Sequence, residues 1–417
     1  MAIWIGIANK RIKANVMFDQ VEIPYGCYWS TPFVRWQGSF QHLHAIKFAA
    51  HVASHELDKR GIDPKVFDAG VLGMSVYQHQ SFYGTPWFMG LLGAPQAPGP
   101  TLSQVCASGV RAPVLACAEI ASGLASTVLA ATTDRCSNGP HTYYPAPKAP
   151  GGTGVHEDVV IDSFQCDPLG GHSMLQTAEN VAAKHSISTA EQHEVVLRRY
   201  AQYEDALADD RAFQKRYMDL PFAVPDPRFR KTAAEIDGDQ GIFESTADGL
   251  AKLNPVIEGG TVTFGGQTHP ADGNAAMIIA RPEKARELAT DKGVRIRILS
   301  VGQTRAELAF MPEAPYGAAR NALQQADLSF DEIDVIKTHN PFAVNDILFA
   351  RESGVAIEDM NNFGSSLIWG HPQAPTGMRL IIELIEELVL RGGGRGLFTG
   401  CAAGDTGMAL VLSVDSN

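Results

Sequence analysis

The sequence has few cysteines, no long apolar run and no excess of positive charge. Its six cysteines stand at wide, irregular spacings without a CxxC pair, which argues against a disulfide framework and a zinc ribbon. The longest apolar runs, such as Leu115–Ile120 and Leu380–Ile385, fall far short of a membrane span. A net charge of −12 disfavours a nucleic-acid partner. We therefore expect a globular protein with free thiols and with neither a membrane nor a nucleic-acid partner.

Several short motifs of common enzyme classes are also missing. Without a GxSxG elbow, a serine hydrolase is unsupported. The segment GGGRG follows a helical stretch instead of opening one, which argues against a phosphate-binding or dinucleotide loop.

No export or organelle signal is evident. The segment MAIWIGIANKRIKANVMFD has neither an apolar core with a cleavage site, as a signal peptide has, nor the Arg-rich or Ser-rich composition of a transit peptide. The predicted location is the cytoplasm.

An internal duplication organises the chain. One order of elements, a helix, an acidic turn and a buried strand, occurs as AIKFAAHVASHELDKRGI, DPKVFD and AGVLGMSV, and again as YGAARNALQQADL, SFDEID and VIKTH. Each copy continues with a loop, a second helix, a glycine break and a strand. Each copy then ends on a strand pair, TVTF with DGNAAMIIA and GLFTG with DTGMALVLSV. The sequence therefore predicts an α/β protein of two related halves about a pseudo-two-fold axis.

A polar, proline-rich excursion separates the halves and contains the helical stretch TAEQHEVVLRRYAQYEDAL. We interpret residues 136–236 as an inserted loop domain. The other predicted divisions are an N-terminal extension (1–21), a first half (22–135 plus 237–285) and a second half (286–417).

Cys106 is the first candidate for chemistry. It lies in TLSQVCASGVRA, between an extended segment and a helix, so the positive end of the helix dipole should favour its thiolate. A free thiol with a pKa of about 8.5 is only a few per cent ionised at neutral pH, so a nucleophilic cysteine also needs a base or cation nearby. From this segment alone, a buried structural cysteine is an equally good interpretation.

Three further side chains stand at strand ends or helix starts. His371 lies in WGHPQAPTG, where the next proline disfavours helix, and the duplication places its loop opposite that of Cys106. Cys401 opens the loop CAAGDTG and His339 opens HNPF, each after a strand, where open α/β sheets place their sites. Each side chain alone also suits a packed structural residue. Four coincident placements favour a shared thiol site.

Seven ordered blocks between about residues 22 and 415 resemble the thiolase superfamily of acetyl-CoA acetyltransferases and 3-ketoacyl-CoA thiolases. STPFVRWQGSF resembles ARTPxGKFxGSL, QVCASGVRA resembles NxVCGSGLQA, and SMLQTAENVAAKHSIS resembles MGxTAENxAxKYxIS. TVTFGGQTHPADGNAAMII resembles TVTAGNASGxNDGAAAxxL, and HNPFAVND resembles HEAF or NEAF. NNFGSSLIWGHPQAPTG and CAAGDTGMA resemble NxxGGAIAxGHPxGASG and CxGGGxGxA. The resemblance implies the thiolase fold, with two pseudo-two-fold-related βαβαβαββ halves in a layered αβαβα arrangement and an inserted loop domain.

The resemblance also implies a role for each candidate residue. Cys106 would be acylated, His371 would activate it and help to bind the thioester oxygen, and Cys401 would move the proton at the substrate's α carbon. His339 stands where the family has Asn or His in an oxyanion site. A second oxyanion site would use the backbone N–H groups of Cys106 and Ala403. Coenzyme A would be a co-substrate, with no permanently bound cofactor and no metal.

Departures from the family pattern concern the substrate. The residues that would face substrate or CoA are Met174, Phe264, Gly265, Thr268, Pro341, Phe342 and Trp369. Phe264, Pro341 and Trp369 replace small or aliphatic residues, which predicts a rebuilt pocket for a branched or aryl-bearing acyl group, benzoylsuccinyl-CoA being one example. An ordinary acetoacetyl-CoA thiolase with neutral changes is the alternative.

Other functions remain alternatives. Ketoacyl synthases and hydroxymethylglutaryl-CoA synthases lack a second cysteine such as Cys401. A non-catalytic acyl-CoA- or lipid-binding protein of this fold would be expected to lose catalytic side chains, and none of the four is missing. A metal bound by these cysteines and histidines is conceivable, yet their meeting serves thiol chemistry without one. The resemblance further implies a homodimer or homotetramer, and a small zinc-containing partner subunit is a further option.

Overall fold

The computed structural model describes residues 17–416. Residues 1–16 of the predicted N-terminal extension, and Asn417, lie outside the described residues. Within the extension, the Met17 N–H donates to the Leu299 carbonyl at 2.6 Å, and Val21 joins the central hydrophobic core. The last residues of this segment therefore pack on the body of the protein.

The first half begins with eight elements that run up to the inserted segment. In chain order they are β1 (Tyr28–Ser30), β2 (Val34–Arg35), α1 (Ala45–Arg60), β3 (Ala69–Gly73), α2 (Gly84–Leu91), β4 (Thr101–Leu102), α3 (Ser108–Ala121) and β5 (Thr127–Arg135).

The segment after β5 forms short strands and helices before the chain returns to the first sheet. These elements are β6 (His141–Tyr144), β7 (Val155–Asp158), α4 (Ile161–Gln165), α5 (Met174–Lys184), α6 (Thr189–Arg211), β8 (Phe222–Pro225), β9 (Thr232–Ile236) and α7 (Ala247–Leu250), followed by β10 (Ala271–Ala280) and α8 (Pro282–Leu288). The backbone of α6 departs from helical angles at Ala208–Asp210. The exact division into domains stays a prediction.

The second half follows a similar order, with the short helix α11 where the first half has strand β4, and its last two strands follow each other directly. Its elements are β11 (Val294–Arg305), α9 (Ala314–Ala326), β12 (Val335–His339), α10 (Ala343–Ser353), α11 (Ser366–Trp369), α12 (Ala374–Leu390), β13 (Gly393–Ala402) and β14 (Thr406–Ser416).

The two large sheets share one topology. The first has the order β1-β10-β5-β3-β4, with β2 also on β10, and the second has the order β11-β14-β13-β12. The sheets correspond in one parallel pair, β3 with β5 and β12 with β13, followed by two antiparallel pairs, and the first sheet has a further parallel pair, β3 with β4. This correspondence confirms the predicted duplication.

One predicted strand is wrong. The segment TVTF is irregular up to Thr263, and Phe264–Gly266 forms a single 3-10 turn. The antiparallel partner of β10 is β5, which precedes the inserted segment in the chain. A strand partner that lies more than a hundred residues away leaves no local signal, so alternation of apolar residues misassigned TVTF.

Helices α3 and α12 lie between the two sheets and produce the predicted layered αβαβα arrangement. Their side chains belong to one central core, while the helices on the outer faces of the two sheets have separate cores. The two inner helices approach closely at Gly109, where an added Cβ would lie 2.3 Å from the Ala374 carbonyl oxygen. Glycine at this position therefore brings the two helix N-termini together.

A buried ion pair ties α12 to the loop that follows β9. The Arg379 guanidinium donates to both carboxylate oxygens of Asp239 at 2.6 and 2.9 Å and to Glu383 at 3.0 Å, and all three side chains are buried. Asp239→Asn would remove one of the two carboxylate charges that balance the buried Arg379 guanidinium, leaving only that of Glu383. We expect the free energy of unfolding in urea to fall by about 3–5 kcal/mol.

The matched control for that prediction is Glu287→Gln, which alters the exposed pair with Lys284 and is expected to change the same quantity by less than about 0.5 kcal/mol. Equal effects of the two substitutions would contradict the prediction.

Within residues 17–416, no helix combines the length and the apolar character needed to cross a bilayer.

Candidate active site

The structure brings the four predicted catalytic side chains to one place. Cys106 lies just before α3 and His371 just before α12, while His339 and Cys401 stand in the last residues of β12 and β13. The imidazole centroids of His339 and His371 are 4.2 Å apart. One ligand atom each of Cys106, His339 and His371 lie within 4.8 Å of one another. Elements from both halves thus meet at the pseudo-two-fold axis.

Two residues beside these side chains hold strained backbone conformations. Val105, which precedes the cysteine, has φ of 49°, and Gln373 has φ of 59°. Residues other than glycine rarely adopt a positive φ, and a β-branched residue such as Val105 does so least readily. The Val105 carbonyl accepts from the hydroxyls of Ser75 at 3.0 Å and Ser108 at 2.7 Å. Such strain persists only where the surroundings impose it, and it is concentrated at functional sites.

The resting state of Cys106 is a protonated thiol. Burial raises its pKa to about 12, although the backbone N–H groups of Ala403 and of Cys106 itself act in the opposite direction. The Sγ donates to Oε1 of Gln373 at 3.2 Å. The sequence predicted that the helix dipole would favour the thiolate. In the structure desolvation outweighs the dipole, so ionisation must be coupled to a proton acceptor.

The two histidines are neutral acceptors at neutral pH. Burial lowers the pKa of His339 to about 3. Burial, followed by the proximity of His339, lowers the pKa of His371 well below its ordinary value. Each Nδ1 contacts a hydroxyl, Ser366 at 2.8 Å for His339 and Thr376 at 2.6 Å for His371. Both Nε2 atoms are buried without a hydrogen-bond partner, which leaves them available to a reacting group.

Cys401 is fully buried and holds its proton tightly. Burial and then the neighbouring Cys106 raise the pKa of its thiol far above the ordinary value, and a contact with Asn345 partly opposes them. The Asn345 amide donates to the sulfur at 3.4 Å. Because Cys401 lines the cavity beside Cys106 and has a donor for its thiolate, it is a candidate to move a proton to and from a carbon atom bound there.

Several contact residues were not predicted from the sequence. They are Gln373 and Asn345, which contact the two sulfurs, Ser366 and Thr376, which contact the two imidazoles, and Asp134. The Asp134 carboxylate accepts from the N–H groups of Ser75, Val76 and Ala374 at 2.8–2.9 Å, and so joins the first half to the start of α12. Four of the five lie inside the motif blocks, and that position is the sequence signal that could have identified them.

A cavity of about 940 Å³ opens over this cluster. It is lined by Cys106, His371, Cys401 and Ala403, whereas His339 is buried outside its lining. The cavity also reaches Met174, Thr268, Pro341 and Phe342 among the residues predicted to face substrate or CoA. Their contact with a ligand stays a prediction.

Three predicted substrate-facing residues do not line the cavity. Phe264 is 71% exposed, and Gly265 backs onto Leu250 of α7, where an added Cβ would lie 2.5 Å from a leucine methyl. Trp369 is fully buried, with its ring edge-on to Phe33 and stacked under the Arg379 guanidinium at 4.2 Å. Trp369 therefore supports the buried ion pair of α12 and is not part of an acyl-binding wall.

The chain matches known families over nearly its whole length. Residues 29–283 match the model of the thiolase N-terminal domain, and residues 293–414 match that of the thiolase C-terminal domain. The chain is 30% identical over 385 residues to an acetyl-CoA acetyltransferase of Chromobacterium violaceum, covering 90% of this chain and 95% of that protein. It is 32% identical over 334 residues to a β-ketoadipyl-CoA thiolase of Pseudomonas knackmussii, covering 77% and 81%.

A solved structure agrees with these sequence matches. Human mitochondrial 3-ketoacyl-CoA thiolase has a TM-score of 0.87 to this structure at 25% identity, covering 96% of this chain and 100% of that chain. The human enzyme in complex with CoA gives 0.85 at the same identity, covering 97% and 99%. Together with the layered fold, these matches define an acyltransferase. The chain belongs to the thiolase family.

Proposed function

We propose that the protein cleaves or forms the carbon–carbon bond of a 3-oxoacyl-CoA through an acyl group carried on Cys106. The observation that carries the proposal is that two thiols and the His371 imidazole line one cavity, with the second neutral imidazole, His339, 4.2 Å behind His371. CoA as co-substrate is supported by the CoA complex of the human relative.

In the cleavage direction, His371 accepts the proton of Cys106, and the thiolate attacks the 3-oxo carbon. Backbone N–H groups of Cys106 and Ala403 lie beside the sulfur and would bind the developing oxyanion. The bond between carbons 2 and 3 breaks, and Cys401 gives its proton to the α carbon of the departing acyl-CoA. Cys401 then takes the proton of CoA, whose sulfur attacks the acyl thioester and releases Cys106.

For the substrate we propose a bulky acyl group, branched or aryl-bearing. Support comes from the cavity wall, which includes Phe164, Met174, Leu175, Met311 and Phe342. No Lys or Arg is among the residues that line this cavity in the described part of the chain, while Glu157, Asp162 and Asp167 are. A neutral ring is therefore favoured over a carboxylate-bearing acyl group, and benzoylsuccinyl-CoA, which has both, is the informative comparison.

A substrate panel tests this proposal. We expect kcat/KM for a neutral aryl-substituted 3-oxoacyl-CoA to exceed that for acetoacetyl-CoA by up to about tenfold, the range of an aromatic contact. The preference should shrink in Phe164→Leu and persist in the control Phe264→Leu, whose ring lies off the cavity. A tenfold preference for acetoacetyl-CoA would support the ordinary thiolase instead.

Self-association is also proposed. The edge strand β4 and the exposed side chains of Phe82 (94%) and Tyr83 (66%) offer unpaired backbone and apolar surface, which supports a homodimer or homotetramer. The cytoplasmic location and a small zinc-containing partner subunit stay predictions of the resemblance.

A further inference from the structure

The tautomer of His339 can be determined from the hydrogen bonds behind its ring. Nδ1 of His339 lies 2.8 Å from Oγ of Ser366. That same oxygen lies 3.1 Å from Oδ1 of Asn340 and accepts from the Asn340 backbone N–H at 3.2 Å. Ser366 has a single hydroxyl proton, so its direction determines which of its neighbours must be a donor.

The orientation of the Asn340 amide is unambiguous. Its Nδ2 donates to a carboxylate oxygen of Asp346 at 2.6 Å, and its Oδ1 accepts from the Leu367 N–H at 3.1 Å. A flipped amide would place an oxygen against the carboxylate and an N–H₂ against an N–H. The carboxylate itself is held by the Arg199 guanidinium at 2.8 Å and the Thr338 hydroxyl at 2.6 Å. Asn340 therefore presents an acceptor to Ser366.

The serine proton consequently goes to Asn340, and the serine oxygen accepts from His339. The opposite arrangement would set two oxygen lone pairs 3.1 Å apart and would put a proton on Nε2 of His339, a buried atom without a partner. An unsatisfied buried donor is costly. Every polar atom of the chain from Asp346 to Nδ1 of His339 is satisfied only in the first arrangement.

We propose that Ser366 and Asn340 are positioning residues that hold His339 as the Nδ1–H tautomer, so that in the resting enzyme a lone pair on Nε2, and not an N–H, faces Cys106 and His371. His339 then cannot donate to an oxyanion until it has gained a proton. On this proposal, the oxyanion role that the family resemblance implies for His339 begins only after that proton transfer.

The catalytic consequence rests on the proposed function. When the S–H bond of Cys106 breaks, its proton has two acceptors, the Nε2 atoms of His371 and His339. The imidazole that gains this proton forms an N–H bond and becomes the donor to the substrate's carbonyl oxygen. The same proton returns to Cys106 when the acyl group leaves, so no net proton is taken up.

The tautomer is measured on the full chain with ¹⁵N-labelled histidine by long-range ¹H–¹⁵N correlation, with His339 assigned from the signal lost in His339→Asn. We expect a protonated Nδ1 and an unprotonated Nε2. Ser366→Ala should weaken this preference, and Asn340→Ala should reverse it, because the serine proton is then free to turn to Nδ1. The matched control is Ser365→Ala, which removes an adjacent buried hydroxyl without a hydrogen-bond partner and should leave the signals unchanged.

Measurements of enzyme activity distinguish a positioning role of Ser366 from a purely structural one. Ser366→Ala should lower kcat by about 10- to 100-fold, the loss of one hydrogen bond to a charged group, with KM changed less than about threefold. Ser365→Ala should keep kcat within about threefold. A protonated Nε2 in the wild type overturns the inference, as does an unaltered tautomer and kcat in Ser366→Ala. A protonated Nδ1 in an enzyme that turns over no 3-oxoacyl-CoA would instead overturn the proposed function and leave the tautomer assignment standing.

Discussion

Cys106→Ala is expected to lower the turnover of a 3-oxoacyl-CoA by about 10⁴-fold or more, because the acyl group loses its only covalent carrier and the remaining groups act as a unit with it. The two neutral imidazoles beside Cys106 each have a free Nε2 atom that can accept the proton of its thiol. Wild-type enzyme mixed with an acyl-CoA should gain the mass of one acyl group, and its initial rates should follow ping-pong kinetics. The variant should show neither.

Two other cysteines provide controls for this result. Cys117 is buried within α3, the helix that Cys106 precedes, and Cys117→Ala should keep both the adduct and the rate within about threefold. Cys166 is exposed and lines the same cavity, so Cys166→Ala shows whether the adduct mass belongs to a bystander thiol. Normal turnover in Cys106→Ala would end the proposal of an acyl-cysteine mechanism.

Cys401→Ala is expected to separate the two chemical steps. Acylation of Cys106 needs no proton at the α carbon, and in this half-reaction the proton that His371 takes from Cys106 can pass to the sulfur of the leaving CoA. Exchange of labelled CoA into an acyl-CoA should therefore stay within about tenfold of the wild type. Deuterium uptake at the α carbon in D₂O, and with it carbon–carbon cleavage, should fall by about 10²- to 10⁴-fold, the usual contribution of a general acid–base group.

The control for this second result is Cys27→Ala, which removes another buried thiol, one that donates to the Leu288 carbonyl away from the site. It should retain both exchange reactions. Loss of CoA exchange together with deuterium uptake in Cys401→Ala would mean that Cys401 supports acylation itself. Retention of both would assign the α-carbon proton to another group.

Most of the fold could be predicted from patterns within short segments of the sequence. The repeated order of helix, acidic turn and strand depends on periodicity within some twenty residues, and the structure reproduces it as α1 to β3 and α9 to β12. The prediction of a TVTF strand was wrong because its expected partner, β10, pairs instead with β5, a strand on the other side of the inserted segment. Periodicity reports the burial of a segment and does not identify its partner.

The sequence by itself determined the thiolase family, the two-half architecture and the four candidate catalytic residues, because contiguous motif blocks place each of them at a strand end or helix start. Only the tertiary structure decided which way the flanking side chains face. Trp369 lies two residues before His371, yet it packs under Arg379 in the core, and Ser366 meets His339 from 27 positions away. Such contacts depend on the packing of α12 between the two sheets, and protonation states depend on the burial and hydrogen bonds that this packing creates.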